Sequence, residues 1–365
     1  MPVVDAIARV ETFPLRIPFR PANGSSTAPR PPVDSLLVKI TTGDGVAGWG
    51  EAFGFEAAPM TRWSVEELIA PLCLGRDAAR IGPLMREIQQ KLQVFGRGGT
   101  VMHALSAVDT ALWDIAGRAA GVPLHRLLGG GAPDLPCYAS LDPLGAEPLV
   151  RAGVRAALDA GFRAVKLHER APSVVRAARS EAGDTTTLML DVNCAWTLAQ
   201  ARQAAADMAG VGLRWLEEPV WPPENFAGLA ALRAGCGIPI AAGENAATLL
   251  DFGRLMDAGA VDVLQPSPAK MGGVTELRQV FPVAAVRNVA VLPHTFYHGP
   301  GLLAAIHVTA ALGTADAMIE WRYSDLEALP YGEAVVPAAG RIAVPNGPGL
   351  GADPDPGVLG RYLSD

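Results

Sequence analysis

Through the second half of the chain, short apolar runs recur at a near-constant interval, and each ends on a polar residue. The runs AVK, LMLD, LRWLE, PIAAGE, VDVLQPS, VAVLPH and AMIE close on Lys166, Asp191, Glu217, Glu244, Ser267, His294 and Glu320, at steps of 25, 26, 27, 23, 27 and 26 residues. A loop and a helix-like stretch follow these rungs, as in LAQARQAAADMAG, TLLDFGRLMDAG and TELRQVFPVAAVRN. Continuous apolar runs are what strands buried on both faces require. Their alternation with helical segments predicts βα units, and the number of repeats favours a closed parallel barrel over an open sheet. In such a barrel all strand C-termini meet at one mouth, so the seven polar side chains are expected to converge there.

The first third breaks this rhythm. Residues 3–15 and 35–50 alternate or run apolar around the turn Thr42-Gly43-Asp44-Gly45, which predicts an antiparallel meander. Between them, residues 18–32 (PFRPANGSSTAPRPP) offer no core former beyond Phe19 and read as a mobile loop of the kind used as a lid. Val101, Leu105, Val108, Leu112 and Ile115 then fall on one helix face, and Gly117, Gly121 and Pro123 end the helix. The pattern divides the chain into a small α+β domain over 1–128, a barrel over 129–325, and a segment over 326–365, rich in Gly and Pro, that returns to the small domain.

Composition removes several classes of function. Half the residues are hydrophobic, only 18% are charged and the net charge is −7, so neither a disordered tail nor a nucleic-acid partner is expected. No run of about 18 apolar residues is present to span a membrane, and the N-terminus lacks the features of a signal peptide. Cys73, Cys137, Cys194 and Cys236 form no metal or disulfide pattern and read as reduced thiols of a cytoplasmic protein. No strand is followed by GxGxxG or a Walker A sequence, so a nucleotide site is not expected.

The rungs themselves carry the chemistry. Asp191, Glu217 and Glu244 are three carboxylates on successive strands, a donor set for a hard dication such as Mg²⁺. A strand-end acid can equally cap a helix, but three in register point to a metal. Asn193, two residues after Asp191, is expected to face the same way and support the site. An α-proton of a carboxylate is removed by a side chain only if the charge that develops is strongly stabilised, and a dication does this. Lys166, beside it in a buried barrel, is expected to have a lowered pKa and to be a candidate base.

Three stretches identify a resemblance. Residues 104–117 (ALSAVDTALWDIAG), the run from Leu188 through Asp191 and Asn193 to Leu216-Glu217-Glu218-Pro219, and Gly243-Glu244-Asn245 together resemble the enolase superfamily, and within it the mandelate racemase-like branch, over essentially the whole chain. The resemblance implies a modified (β/α) barrel with an N-terminal α+β capping domain and the active site between them. It also implies Mg²⁺ at Asp191, Glu217 and Glu244, a small-molecule carboxylate substrate, and a homo-oligomer.

Two positions depart from that branch. Its second barrel strand usually carries Lys-x-Lys, whereas this chain has Lys166-Leu167-His168, so the base is His168 or Lys166. Its sixth strand usually supplies an Asp to pair with the seventh-strand His; here the matching residue is Ser267, which leaves His294 suited to donate a proton rather than abstract one. That asymmetry favours removing the proton α to the carboxylate of a sugar acid, or of its lactone or anhydro form, and eliminating a β-oxygen. The enzyme would be a dehydratase or a cycloisomerase, with a slight lean to ring opening. The alternatives are a racemase or epimerase working by 1,1-proton transfer, and a metal-binding pseudoenzyme. Glu320 matches the residue that hydrogen-bonds the substrate carboxylate in the racemases, and Arg20, His298 and Arg322 are candidate substrate contacts.

Overall fold

The computed structural model describes residues 5–20 and 30–364, so most of the expected lid, 21–29, lies outside the described residues. Three antiparallel strands, β1 (Ile7–Ile17), β2 (Val33–Thr42) and β3 (Ala47–Ala52), form the N-terminal sheet in the order β1-β2-β3. One face of this meander packs on the long helix Gly99–Ala120. The approach is close because β3 alternates glycine: a Cβ on Gly48 would come 2.3 Å from the Ala111 carbonyl, and one on Gly50 1.8 Å from that of Ala107. Asp114 on the same helix is fully buried and accepts the backbone N–H groups of Trp49 and Leu350 at 2.9 and 2.7 Å.

Eight parallel strands follow: β4 (Asp134–Leu141), β5 (Ala164–Leu167), β6 (Thr187–Asp191), β7 (Leu213–Glu217), β8 (Ile240–Ala242), β9 (Val263–Leu264), β10 (Ala290–Val291) and β11 (Ile319–Tyr323). Seven helices, from Glu147–Asp159 to Pro300–Leu312, connect them. Each helix lays an apolar face on the barrel, and the interior is filled by Tyr138, Met189, Trp215, Leu292 and smaller side chains. The predicted strands and helices thus all form, although β9 and β10 last only two residues. Pro266 and Pro293 follow them closely and have no N–H to extend a ladder.

Strand order runs β10-β9-β8-β7-β6-β5-β4-β11, and among the described residues no ladder joins β10 to β11. The barrel closes there through Thr295, whose hydroxyl donates to the Glu320 carbonyl at 2.6 Å and whose N–H donates to the Glu320 carboxylate at 2.9 Å. After β11 the chain adds a short antiparallel strand, β12 (Arg341–Ala343), to the outer edge of β4. It then reaches the first sheet, where Leu363 bridges Leu15 and the Ser364 N–H meets the Pro14 carbonyl at 2.9 Å.

Candidate active site at the barrel mouth

Register brings the rungs together. Asp191 sits opposite Glu217, and Lys166 lies one strand further round. Carboxylate oxygens of Asp191, Glu217 and Glu244 all fall within 4.8 Å of one another. Lys166 is completely buried among them: its Nζ lies 2.6 Å from Glu217, 2.8 Å from Glu320 and 3.6 Å from Asp191. Trp215, two residues before Glu217 on β7, donates its indole N–H to the second Glu217 oxygen at 2.9 Å and so sets the carboxylate's orientation.

The carboxylates around Lys166 act against the lowering expected of an amine buried beside a dication. Burial alone disfavours the ammonium, but Glu217 and Glu320 outweigh it and hold the amine well above its usual range. His168 is placed differently. Its Nδ1 lies 2.5 Å from the Leu141 carbonyl, which can only accept, so Nδ1 carries the proton and Nε2 faces the site, 3.2 Å from Asp191. Burial opposes protonation of this ring, and the Asp191 carboxylate more than offsets it and raises the pKa.

Across the mouth, His294 directs Nε2 at Glu244, 2.9 Å away, while its Nδ1 is buried without a partner. Ser267 does not serve that nitrogen. Its hydroxyl pairs with the Tyr297 hydroxyl at 3.0 Å, and Tyr297 in turn donates to the His294 carbonyl at 3.2 Å. Glu244 itself is held well below the usual carboxylate range: burial pushes it up, but the cationic side of His294, Lys270 and Lys166 prevails.

Not every predicted residue sits as expected. Asn193 is not on a strand: β6 ends at Asp191, and Asn193 adopts the left-handed conformation (φ 47°) with its side chain exposed. The same-face expectation fails because Asp191 makes a local turn, its Oδ1 accepting the Asn193 backbone N–H at 2.8 Å. His298 binds the Arg322 carbonyl through Nε2 at 2.9 Å, and burial lowers its pKa to about 4, so it is a neutral wall of the cleft. Arg322 is buried, pairs with Asp142 at 3.0 Å and covers the Phe296 ring at 4.3 Å, leaving Nη1 without a partner. Arg20 is exposed, and its backbone N–H binds the Asp325 carbonyl at 2.7 Å.

Sequence reasoning missed Trp215, Phe296, Lys270 and Asp142. Trp215 was accessible from period-two parity with Glu217, whereas Phe296 and Asp142 lie in loops with no periodic signal. Phe296 stands between the two imidazoles, 5.2 Å from the His168 ring and 6.5 Å from that of His294. It shares a cleft with Ile17, Val33, Glu51 and Phe53 of the N-terminal domain, so that domain reaches the loop that follows His294.

Comparison with known proteins agrees with this anatomy. Residues 4–129 match the mandelate racemase / muconate lactonizing enzyme N-terminal domain, and residues 149–358 match the enolase C-terminal domain-like family. The chain is 29% identical to an arabinonate dehydratase of Saccharolobus solfataricus, covering 91% of each chain. It is 31% identical to a D-galactarolactone cycloisomerase of Agrobacterium fabrum, over 87% of this chain and 88% of the relative. A racemase from Streptomyces coelicolor solved with bound magnesium superposes with a TM-score of 0.86 at 30% identity, over 98% of this chain and all of that one (100%). The chain belongs to the mandelate racemase/muconate lactonizing enzyme family of the enolase superfamily.

Proposed function

We propose that this enzyme removes the proton α to the carboxylate of an acid sugar, or of its lactone or anhydro form, and expels the β-oxygen, with His168 as base and His294 as acid. The observation that carries the reading is the inequality of the two imidazoles. His168 has a fixed tautomer, anchored through Nδ1 on the Leu141 carbonyl with Nε2 turned to the reacting centre. His294 has no acceptor on Nδ1, because Ser267 is engaged by Tyr297. With no acceptor on Nδ1, the proton this ring holds sits on Nε2, which faces the site 2.9 Å from the Glu244 carboxylate, so the ring is matched to giving one up.

The residues present fit Mg²⁺. Asp191, Glu217 and Glu244 offer oxygen donors only, and with Glu320 they gather four carboxylates around the ammonium of Lys166, a concentration of negative charge that a dication relieves. When bound, Mg²⁺ would hold the substrate carboxylate and stabilise the charge that develops as the α-proton leaves. Lys166 then acts as a fixed ammonium that donates towards that carboxylate and keeps Glu217 and Glu320 in place. Glu320, itself held by the Thr295 N–H, orients the same end of the substrate.

Proton NMR in D₂O with Mg²⁺ and a panel of aldonic and aldaric acids, their lactones and 3,6-anhydro acids tests this. The expected result is a 2-keto-3-deoxy product carrying deuterium at C3, with a hydroxyl or a ring oxygen lost according to the substrate. Exchange or inversion at the α-carbon with the skeleton intact would replace elimination by 1,1-proton transfer.

A further inference from the structure

The helix Pro300–Leu312 begins the wall of the barrel immediately after the loop that carries His294, and it has no side-chain cap of its own. Its first turn is served from the other domain. Glu51, at the end of β3 and 3% exposed, accepts the Gly301 N–H at 3.0 Å. The Ser35 hydroxyl on β2 anchors the other carboxyl oxygen at 3.0 Å. The loop's sequence is shaped to admit this group: a Cβ on Gly299 would lie 2.6 Å from a Glu51 oxygen and one on Gly301 3.2 Å from it, while Pro300 between them has no N–H to satisfy. A buried acceptor at a helix N-terminus both satisfies otherwise unpaired N–H groups and fixes where the helix starts.

We propose that Glu51 is a positioning residue for the reaction: a carboxyl of the N-terminal domain that fixes the His294–Gly301 loop and through it the His294 ring. The loop is held at its first residues by the Thr295 contacts to Glu320 and by Tyr297 on Ser267. Its far end is held by Glu51. The neighbouring Phe53 N–H, bound to the Ala269 carbonyl at 3.1 Å, clamps the preceding barrel loop from the same strand end. Phe296 and His298 lie between these fixed points. Tyr297, whose ring backs directly on Gly301, donates to the His294 carbonyl at 3.2 Å and packs edge-on to the His294 ring, so a shift of the Gly299–Gly301 end reaches His294 through Tyr297. The role of Glu51 in turnover rests on the reading of His294 as the acid.

The test uses the Mg²⁺-loaded protein with ¹³C-labelled histidine, whose six rings (His103, His125, His168, His294, His298 and His307) give a readable spectrum. Glu51→Ala is expected to move the His294 and His298 ring resonances while those of His125 and His307 stay in place, the His294 signal being assigned by its loss in His294→Asn. Turnover is expected to fall about 10- to 100-fold, the scale of a misplaced catalytic group, with KM changed much less. Glu51→Gln, which keeps an oxygen acceptor, restores most of it, and Glu51→Ala adds nothing to the defect of His294→Asn. Unmoved His294 and His298 resonances overturn the proposal, and so does a Glu51→Ala defect that multiplies with that of His294→Asn. If Glu51→Ala does not fold, Ser35→Ala strips one anchor from the carboxyl and should move the same two resonances by less; no movement there overturns the proposal equally. Full turnover in His294→Asn would defeat the acid assignment, and the resonances alone then decide whether Glu51 fixes the loop.

Discussion

On the proposed assignment, two imidazoles at one barrel mouth divide their work because of what each second nitrogen meets. His168 finds a carbonyl and His294 finds nothing. His168→Asn should therefore lower kcat by about 10²- to 10⁴-fold, the usual contribution of a positioned general base, with Mg²⁺ affinity little changed; steady-state kinetics beside a Mg²⁺ titration checks this. Sequence made the carboxylate set legible, because strand-end rungs at βα spacing can only converge at the mouth. It also exposed the Ser267 departure. It could not show that Lys166 would be enclosed by Glu217 and Glu320, since its protonation depends on distances across the barrel that spacing along the chain does not set. Asn193 was misjudged for a local reason: parity along a strand holds only while the strand lasts, and β6 stops at Asp191.

At the scale of elements, two consecutive barrel helices begin without caps of their own and take acceptors from the N-terminal domain. Glu51 serves Pro300–Leu312. Asp109, on the helix Gly99–Ala120, accepts the Thr275 N–H at 2.8 Å in the first turn of Gly273–Ala285, and Ser106 accepts the Gly272 N–H at 2.8 Å. The strands and helices were readable from periodicity, but these cross-domain caps join residues more than 150 positions apart and leave no local trace. Asp109 is fully buried with Oδ2 unpartnered, and burial raises its pKa from 3.8 to about 7. A carboxyl raised on folding contributes stability that is fully present below its unfolded pKa and is lost as pH rises towards 7. Asp109→Asn keeps an acceptor without the charge, so its melting temperature relative to the parent should rise between about pH 4 and pH 7, with a limiting slope on the order of 1.4 kcal/mol per pH unit. Asp109→Ala, which removes the acceptor, should cost about 1–2 kcal/mol. Thermal unfolding of the three proteins across that range separates cap from charge.

For the whole molecule, a cluster of like charges at the centre means that the folded state and the cation are linked. Mg²⁺ held at about 100 times its Kd should stabilise the protein by about 2.7 kcal/mol, and EDTA should remove that increment. A melting temperature indifferent to Mg²⁺ would count against the carboxylate site. The path of residues 341–364 has a consequence for how the protein is made. Leu363 completes the outer edge of β1 at Leu15, Gly349 and Leu350 lean on Pro123 and Asp114, and β12 borders β4. The N-terminal sheet is thus finished by a residue translated 348 positions after its partner, from Leu15 to Leu363. At elongation rates of about 5–20 residues per second, roughly 20 to 70 seconds separate the two partners. Over that interval the edge of β1 is bare, and a nascent chain of this protein is most exposed to pairing with a neighbour on the same message.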